Sequence, residues 1–297
     1  MKKGQWIVWI CLVLFTGCDK ELTFDVDIEE SKLVVFSIIN PREPVSVSVS
    51  RSVNPYASGV YKSDSYINDA SVMVLENGNQ FDQLVYDEYT QVYMGDSSQI
   101  PTVGSEYKLV ILTQEFGEYI SEGVVIPDSL EVDVEVINTG VDGSTGRISE
   151  ILFTFEDPSQ IENAYGYELT RDYIGGGATG VFAHTWSIDK TYDEACNFYR
   201  TPGIGTYSYD GSVFNDLCLD GQSITLKITA QTRGSGPFLF RFYTIDPILF
   251  EYYKSFSRLS EVGVGYLEPL RVPSNIEGGY GMISSSNYIE RIVILGE

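Results

Sequence analysis

The chain contains a single histidine, His184, and this limits the catalytic chemistry that is open to it. A Ser-His-Asp or Cys-His mechanism would have to use this residue, and no Gly-x-Ser-x-Gly nucleophile elbow accompanies it. Zinc sites built from two or three histidines are excluded, and no His-Glu-x-x-His pattern is present. His184 lies in VFAHTWS, which has the character of a strand, so we interpret it as a structural or surface residue.

A glycine-rich stretch formally matches a nucleotide-binding pattern. Residues 175–180, GGGATG, have the spacing of a dinucleotide fingerprint, which needs a strand before it and a helix after it to hold the pyrophosphate. Both flanking segments have the character of strands, so we predict a hairpin turn here and no cofactor.

Acidic residues are numerous, but none of them is singled out by its spacing. A paired-carboxylate glycosidase is therefore the weakest of the functional alternatives. The stretch DVDIEE (25–30) has Glu30 where a calcium loop needs glycine. We predict no catalytic residues, no metal site and no enzymatic activity.

The first residues have the pattern of a secretory signal. Lys2 and Lys3 precede an apolar run, Trp6–Phe15, that is shorter than the roughly 20 residues of a membrane-spanning helix. Cleavage before Cys18, which follows Thr-Gly, is similar to processing at a bacterial lipobox, where the cysteine takes a diacylglycerol. We predict a signal peptide at 1–17 and a lipid anchor at Cys18, with an ordinary signal peptide as the alternative. Buried acyl chains contribute ~0.8 kcal/mol per methylene, so two or three of them hold a protein at a membrane.

The formal net charge of −23 indicates how the chain meets its surroundings. Nucleic acid and anionic membrane surfaces are repelled by such a charge, so we predict no nucleic-acid partner and a membrane attachment that depends on lipid. Residues 18–30 are acidic and lack glycine and proline, which predicts a solvated tether. This acidic run resembles the surface-export signal of Bacteroidetes lipoproteins. The alternative is a solvated run of charges that does not direct export.

Two cysteines, Cys196 and Cys218, remain after the signal peptide and the anchor are set aside. An exported compartment allows them to pair, and a bridge would contribute about 3 kcal/mol in the chain-entropy model. We predict this disulfide, with two buried thiols as the alternative.

The loop between these cysteines is rich in aromatic residues and glycine. Tyrosine combines a large ring with a polar tip, which suits wet interfaces, and a disulfide at the base would pre-organise the loop. Binding and a loop folded over its own core remain equal alternatives. The candidate binding residues are Phe198, Tyr199, Tyr207, Tyr209 and Phe214, together with Trp186.

Alternation of apolar and polar residues is the dominant pattern of the chain. It is clearest in VSVSVS (45–50), EVDVEV (131–136) and ITLKITA (224–230), with turn clusters such as NPREP between such runs. Many short strands with this punctuation favour antiparallel sandwiches. The fold class predicted is mainly β, with two antiparallel β-sandwich-like domains and one amphipathic helix in the second.

The helix is predicted at 247–260, where Leu249, Tyr252, Tyr253, Phe256 and Leu259 recur at helical spacing. Asp246 is placed to cap it. The predicted domains are an N-terminal β-sandwich at 31–127, which resembles Ig-like and transthyretin-like sandwiches in the phrase INDASVMVLENGN (67–79), and a β-rich domain at 128–297. In the latter, Gly278, Gly279 and Gly281 favour a tight closure of the domain over a partner contact.

Several phrases, taken in order, resemble one family. They are LVVFSIINP (33–41), SRSVNPY (50–56), NDASVMVLENGN (68–79), VGSEYKLVI (103–111), YISEGVVIP (119–127), FEDP (155–158), NAYGYEL (163–169) and EPLRVPSNIEGGYGMI (268–283). Together they resemble the Bacteroidetes outer-membrane lipoproteins known as domain of unknown function 4249. The resemblance covers most of the chain after the signal peptide, and Ser37 stands where the family often has glycine.

The resemblance implies an outer-membrane lipoprotein, often encoded beside a TonB-dependent transporter. Exposure at the cell surface is predicted from the acidic run at 18–30. No catalytic residue can be carried over from this family to the chain. The function expected first is an accessory or ligand-capture subunit of such a transporter, with its barrel as the partner. The alternative is a stand-alone adhesin or glycan-binding module that uses the aromatic loop.

Overall fold

Seventeen β-strands and one α-helix make up the described part of the chain. The computed structural model describes residues 30–53, 65–142, 146–171, 184–188, 199–201, 211–217, 219–232, 235–261 and 272–296. The elements are β1 (Leu33–Ile39), β2 (Ser46–Arg51), β3 (Ser71–Glu76), β4 (Asn79–Asp87), β5 (Val92–Met94), β6 (Glu106–Thr113), β7 (Gly117–Ile120), β8 (Val124–Val125), β9 (Val132–Asp142), β10 (Gly146–Glu156), β11 (Ala164–Arg171), β12 (His184–Ile188), β13 (Tyr199–Thr201), β14 (Gly211–Asn215), β15 (Ser223–Thr232), β16 (Gly236–Ile245), α1 (Pro247–Glu261) and β17 (Tyr280–Leu295).

These strands form two sheets, which confirms the predicted mainly β fold class. The larger sheet runs β13-β14-β11-β16-β17-β1-β2-β5-β4-β3-β6-β7, with β8 also paired to β6. The smaller sheet runs β12-β15-β10-β9. Among the pairs of described strands, only β1 and β17 run parallel.

The smaller sheet packs face to face on the β14-β11-β16-β17 part of the larger sheet. The predicted strand ITLKITA lies in β15, where Ile224, Leu226 and Ile228 are buried as an alternating pattern requires. Aromatic rings of β10, β11 and β16 fill the space between the sheets, and the rings of Phe155 and Phe242 have centroids 4.8 Å apart. Each such pair contributes about 0.5–1.5 kcal/mol beyond the area it buries.

A second core lies among the strands of the N-terminal half. The predicted strand VSVSVS corresponds to β2 and the residue before it, and Val45, Val47 and Val49 are all buried. Buried side chains from β1 to β6 and from β8 pack into one cluster with them, so this part of the larger sheet folds over itself. Tyr107 is fully buried there, and its hydroxyl donates a hydrogen bond of 2.5 Å to Oε1 of Glu76.

The helix begins and ends almost where its sequence pattern predicts. Oδ1 of Asp246 accepts a hydrogen bond of 2.8 Å from the backbone N–H of Ile248, which is the predicted cap. Leu249 and Tyr253 are buried in a third cluster that includes residues of β11, β14, β16 and β17. Phe256, which the helical stripe placed on the buried side, is 40% exposed.

Strand β17 connects the two halves. Its first six residues pair in parallel with β1, from Val34↔Tyr280 to Ile39↔Ser285, and its remaining residues pair antiparallel with β16. Gly279 and Gly281 permit the close approach to β1, because a Cβ at Gly279 would lie 2.5 Å from the carbonyl oxygen of Leu33 and one at Gly281 would collide with that of Val35. Gly279 and Gly281 therefore bring the backbone of β17 against that of β1 in the N-terminal half, whereas a Cβ at Gly278 would meet nothing within 4 Å. That these glycines close the C-terminal domain stays a prediction.

Residues Ser31–Glu297 form one compact unit. The predicted boundary at 127/128 falls between β8 and β9 and separates the two main cores. Strand β17 pairs with β1, which precedes this boundary, and with β16, which follows it. The division into two domains therefore stays a prediction. Within the described ranges, no helix has the length and apolar character needed to cross a membrane.

We predict that Gly281→Ala lowers the free energy of unfolding by at least about 2 kcal/mol, because the methyl group would collide with β1 and the backbone has φ +98°. Urea unfolding of the purified protein measures this. The matched control is Gly78→Ala, whose φ is +80° but whose Cβ would meet nothing within 4 Å. An equal loss in both variants would contradict the importance of the close approach.

Candidate functional site

A groove opens between the two sheets along β9 and the second half of β17. Its volume is about 780 Å³, within the range of about 300–1,000 Å³ that is usual for ligand sites. The lining consists of Glu131, Val132, Asp133, Val134, Val136, Thr154, Phe155, Glu156, Ser223, Arg291, Ile292, Val293 and Ile294.

The floor of the groove is apolar because the sandwich core continues to this open side. Val132 is buried, and Val134 and Val136 are partly buried against the same cluster. These are the apolar members of the predicted strand EVDVEV, which lies at the start of β9. Phe155 and Val293 complete the floor from β10 and β17.

The wall formed by β17 is an unpaired strand edge. Strand β1 ends opposite Ser285, and beyond that point no described strand pairs with this side of β17. The carbonyl of Tyr288 accepts a 2.5 Å hydrogen bond from Nη2 of Arg42, and the carbonyl of Glu290 accepts one of 3.1 Å from Nη1 of Arg291. Both carbonyls therefore point away from β16.

In an antiparallel strand, the backbone groups of every second residue point to the same side. Because the carbonyls of Tyr288 and Glu290 point away from β16, those of Ile292 and Ile294 do so as well. Ile294 lies opposite Pro237, which has no N–H to donate, so the pair they form is one without hydrogen bonds. The N–H and C=O groups of Ile292 and Ile294 therefore face the groove. The edge is closed further on, where Gly296 donates from its N–H to Oγ of Ser149 at 2.9 Å and accepts from the Arg147 guanidinium.

Three carboxylates and one guanidinium line the groove. The carboxylates belong to Glu131, Asp133 and Glu156, and the guanidinium belongs to Arg291. Arg291 lies 3.4 Å from Glu131, whose side chain is 93% exposed, so the pair contributes at most about 1 kcal/mol. The groove thus has an apolar floor, an acidic rim and one cation that spans it.

Strand β9, whose valines form the floor, also borders the groove opposite β17 and is itself an edge strand. It pairs with β10 on one side, and no described strand pairs with the other. The groove is therefore bordered by unpaired edges of both sheets. Exposed strand edges are surfaces on which an added strand can form hydrogen bonds.

The buried carboxylates lie away from this groove and are held within the fold. Glu168 accepts a 2.9 Å hydrogen bond from the hydroxyl of Tyr243, and Arg241 binds Glu290 at 2.7 Å beside them. Burial, and then the Glu168 charge, raises the pKa of Tyr243 far above its usual value. Tyr243 belongs to the cluster that packs with α1, so this network supports the packing of the helix.

A second polar network fixes the loops at one end of the sandwich. Asp157 accepts hydrogen bonds from the hydroxyl of Tyr165 and from the N–H of Gly221, and Asp216 accepts one of 2.7 Å from the N–H of Asn163. Burial raises the pKa of Asp216, the Asn163 hydrogen bond opposes this, and the nearby charge of Asp157 adds to it. Among the described residues, no three His, Cys, Asp or Glu side chains are grouped so as to hold a metal ion.

The aromatic residues predicted for binding are not brought together as a surface. Phe214 is 1% exposed and packs in the core, with its ring centroid 5.6 Å from that of Tyr165, so it stabilises the fold and offers nothing to a ligand. This corrects its assignment to a binding loop. Tyr199 lies in β13, and His184 and Trp186 lie in β12; their side chains are outside the description.

The remaining predicted site residues lie outside the described residues and stay predictions: Cys18, Cys196, Phe198, Tyr207, Tyr209 and Cys218. The glycine stretch 175–180 lies outside them as well. The groove was not predicted, although one of its walls is the alternating run EVDVEV. The signal that could have indicated the groove is the composition of this run, which has acidic residues on its solvent-exposed face and valines on the opposite face.

The fold and the groove define a class: a mainly β sandwich protein with an open groove lined by strand edges. The chain belongs to the family described as Domain of unknown function (DUF4249), whose sequence model matches residues 19–292. No curated protein matches it.

Solved structures show only distant similarity. A putative membrane anchored protein from Corynebacterium diphtheriae matches at 11% identity and a TM-score of 0.20, over 72% of this chain and 54% of that one. The BSP domain of a biofilm associated protein matches at 9% identity and a TM-score of 0.23, over 90% and 61%. The C-terminal domain of a Streptococcus pyogenes antigen I/II-family protein matches at 8% identity and a TM-score of 0.21, over 72% and 93%. This chain spans less than two thirds of the first two proteins, and such scores do not establish a shared fold.

We predict that the stability of the Asp216→Asn variant, measured relative to that of wild type, increases as the pH rises. Because the pKa of Asp216 is raised in the folded state, wild type loses stability as the pH rises from the ordinary carboxyl value through the folded one. Asparagine keeps an acceptor for the N–H of Asn163 and has no charge to bury. The stability difference, variant minus wild type, is expected to be more favourable at pH 7 than at pH 4.

Urea unfolding at both pH values measures this difference. The control is Asp128→Asn, which removes the same charge from an exposed position. If the Asp216 variant lost more stability at pH 7 than at pH 4, the buried-charge explanation would be wrong.

Proposed function

We propose that the chain is a non-enzymatic lipoprotein of the bacterial outer membrane, exposed at the cell surface, that serves a TonB-dependent transporter as an accessory or ligand-capture subunit. The observation that carries this proposal is the groove along β9 and β17. It is open and bordered by strand edges, which suits a macromolecular partner better than an enclosed small molecule.

The lipid tether is supported by the first residues of the chain. Lys2 and Lys3, the apolar run Trp6–Phe15 and the Thr-Gly-Cys sequence that ends at Cys18 have the order of a lipoprotein signal. The acidic chain would not bind an anionic membrane by charge, so acyl chains would supply the attachment. The chain belongs to the DUF4249 family. The resemblance described above implies that members of this family are outer-membrane lipoproteins, which supports a lipid tether.

A binding role is favoured over a catalytic one by where the buried carboxylates lie. Glu168 is packed in the network with Tyr243, and Asp157 and Asp216 hold loop backbone by hydrogen bonds. Each of these groups already serves the fold. The carboxylates at the groove are exposed at its rim, which suits the attraction of a basic partner.

We expect Cys18→Ser to move the protein from the membrane fraction to the soluble fraction of its native host, because serine cannot form the thioether to diacylglycerol. Cys11→Ser is the matched control, since it changes a cysteine within the signal peptide and leaves the anchor intact. Quantitative immunoblotting of the two fractions measures the outcome. Retention of the Cys18 variant in the membrane at the level of the control would argue against a lipid tether.

Isolation from native outer membranes in mild detergent tests the proposed partner. A C-terminal affinity tag on the lipoprotein is expected to recover a TonB-dependent barrel in near-stoichiometric amount, identified by mass spectrometry. An unrelated tagged lipoprotein serves as the control for incidental recovery. Recovery of the tagged protein without a barrel would overturn the proposed partnership.

A further inference from the structure

We infer that the groove binds an extended, basic segment of a partner protein as an added β-strand along the edge of β17. The inference rests on the proposed function, because it names the chemistry by which this surface recognises a protein partner. It commits to a peptide segment that alternates apolar residues with Lys or Arg.

The available hydrogen-bonding groups set the position of the added strand. On the groove side of β17, the carbonyl of Tyr288 is bonded to Arg42 and the backbone of Gly296 is bonded to Ser149 and Arg147. Between these two closed ends, no described residue bonds to the N–H or C=O groups of Ile292 and Ile294 on this side. An added strand is therefore confined to the stretch between Tyr288 and Gly296. These two residues are about 27 Å apart in an extended chain.

Arg291 occupies the place that the partner would take. Its guanidinium accepts no hydrogen bond but donates one to the carbonyl of Glu290, and it also reaches Glu131 across the groove at 3.4 Å. One edge carbonyl is thus satisfied by a cation of the chain itself. A Lys or Arg of an incoming strand would meet the same carboxylate once Arg291 turns outwards.

The charges and surfaces around the edge select the class of partner. Side chains on one face of an added strand would lie over the valine floor of β9, and those on the other would lie beside Ile292 and Ile294, which are 63% and 40% exposed. Glu131, Asp133 and Glu156 outnumber Arg291 at the rim, so an acidic segment would be repelled and a basic one attracted. The net charge of −23 acts in the same direction.

Fluorescence anisotropy with labelled synthetic peptides and the purified full chain tests this inference. The probe is a seven-residue peptide of alternating valine and lysine with threonine at each end. One comparison peptide replaces lysine by glutamate, and another carries an N-methyl group on the central residue, which removes a backbone donor. We expect both comparison peptides to bind at least about tenfold more weakly than the probe.

Two pairs of protein variants locate the binding. Ile292→Pro removes the N–H that faces the groove and is expected to weaken binding at least about tenfold, whereas Ile292→Thr keeps that N–H and is expected to stay within about threefold. Asp133→Lys is expected to weaken binding of the lysine peptide, and its control is Glu118→Lys on the exposed strand β7. The charge variants keep the test decisive if the proline variant fails to fold.

Equal binding of the lysine, glutamate and N-methyl peptides would overturn the inference, as would binding of the lysine peptide that is unchanged in both Ile292→Pro and Asp133→Lys. Absence of binding by any peptide would overturn it as well. These results are separate from the test of the partnership, because a barrel recovered equally well with Asp133→Lys would leave the proposed function standing and reject this groove as its surface.

Discussion

The structure depends on a change of partner along one strand. β17 pairs in parallel with β1 over Tyr280–Ser285 and antiparallel with β16 from Ser286 onward. The parallel pairing requires backbones in direct contact, and glycine at 279 and 281 permits it because any side chain there would meet β1. Through this strand the N-terminal and C-terminal strands belong to one sheet.

Polar side chains stabilise the point where the partner changes. Ser285 and Asn287 are buried, and they donate hydrogen bonds to the carbonyls of Val125 and Pro127 at 2.7 and 3.0 Å. The side chain of Asn275 both donates to and accepts from the backbone of Ile283, at 2.7 and 2.9 Å, on a side where no described strand pairs with this residue. Buried backbone and side-chain groups are thus satisfied where regular pairing is interrupted. The same interruption leaves the far side of β17 open, and the groove follows from it.

Sequence patterns predicted the local elements well because these depend on residues close together in the chain. The alternation in β2 and β15 and the capped stripe of α1 are examples. The pairing of β1 with β17 joins residues that are far apart in the chain, and the sequence of neither segment predicts which strand it pairs with. The groove arises from that pairing, so it was not predicted. Phe214 was misplaced because an aromatic residue beside glycines has the same pattern whether it lies in a loop or in the core, and only the neighbouring strands β11 and β16 decide.

Hydrogen–deuterium exchange of the free protein, resolved residue by residue along β17, tests the open edge most directly. Arg291 and Val293 direct their N–H groups to β16, whereas Ile292 and Ile294 direct theirs to the groove. We predict that the amides of Ile292 and Ile294 exchange at least about tenfold faster than those of Arg291 and Val293. Equal protection of all four amides would mean that this side of β17 is already paired, and would contradict both the open edge and the role assigned to the groove.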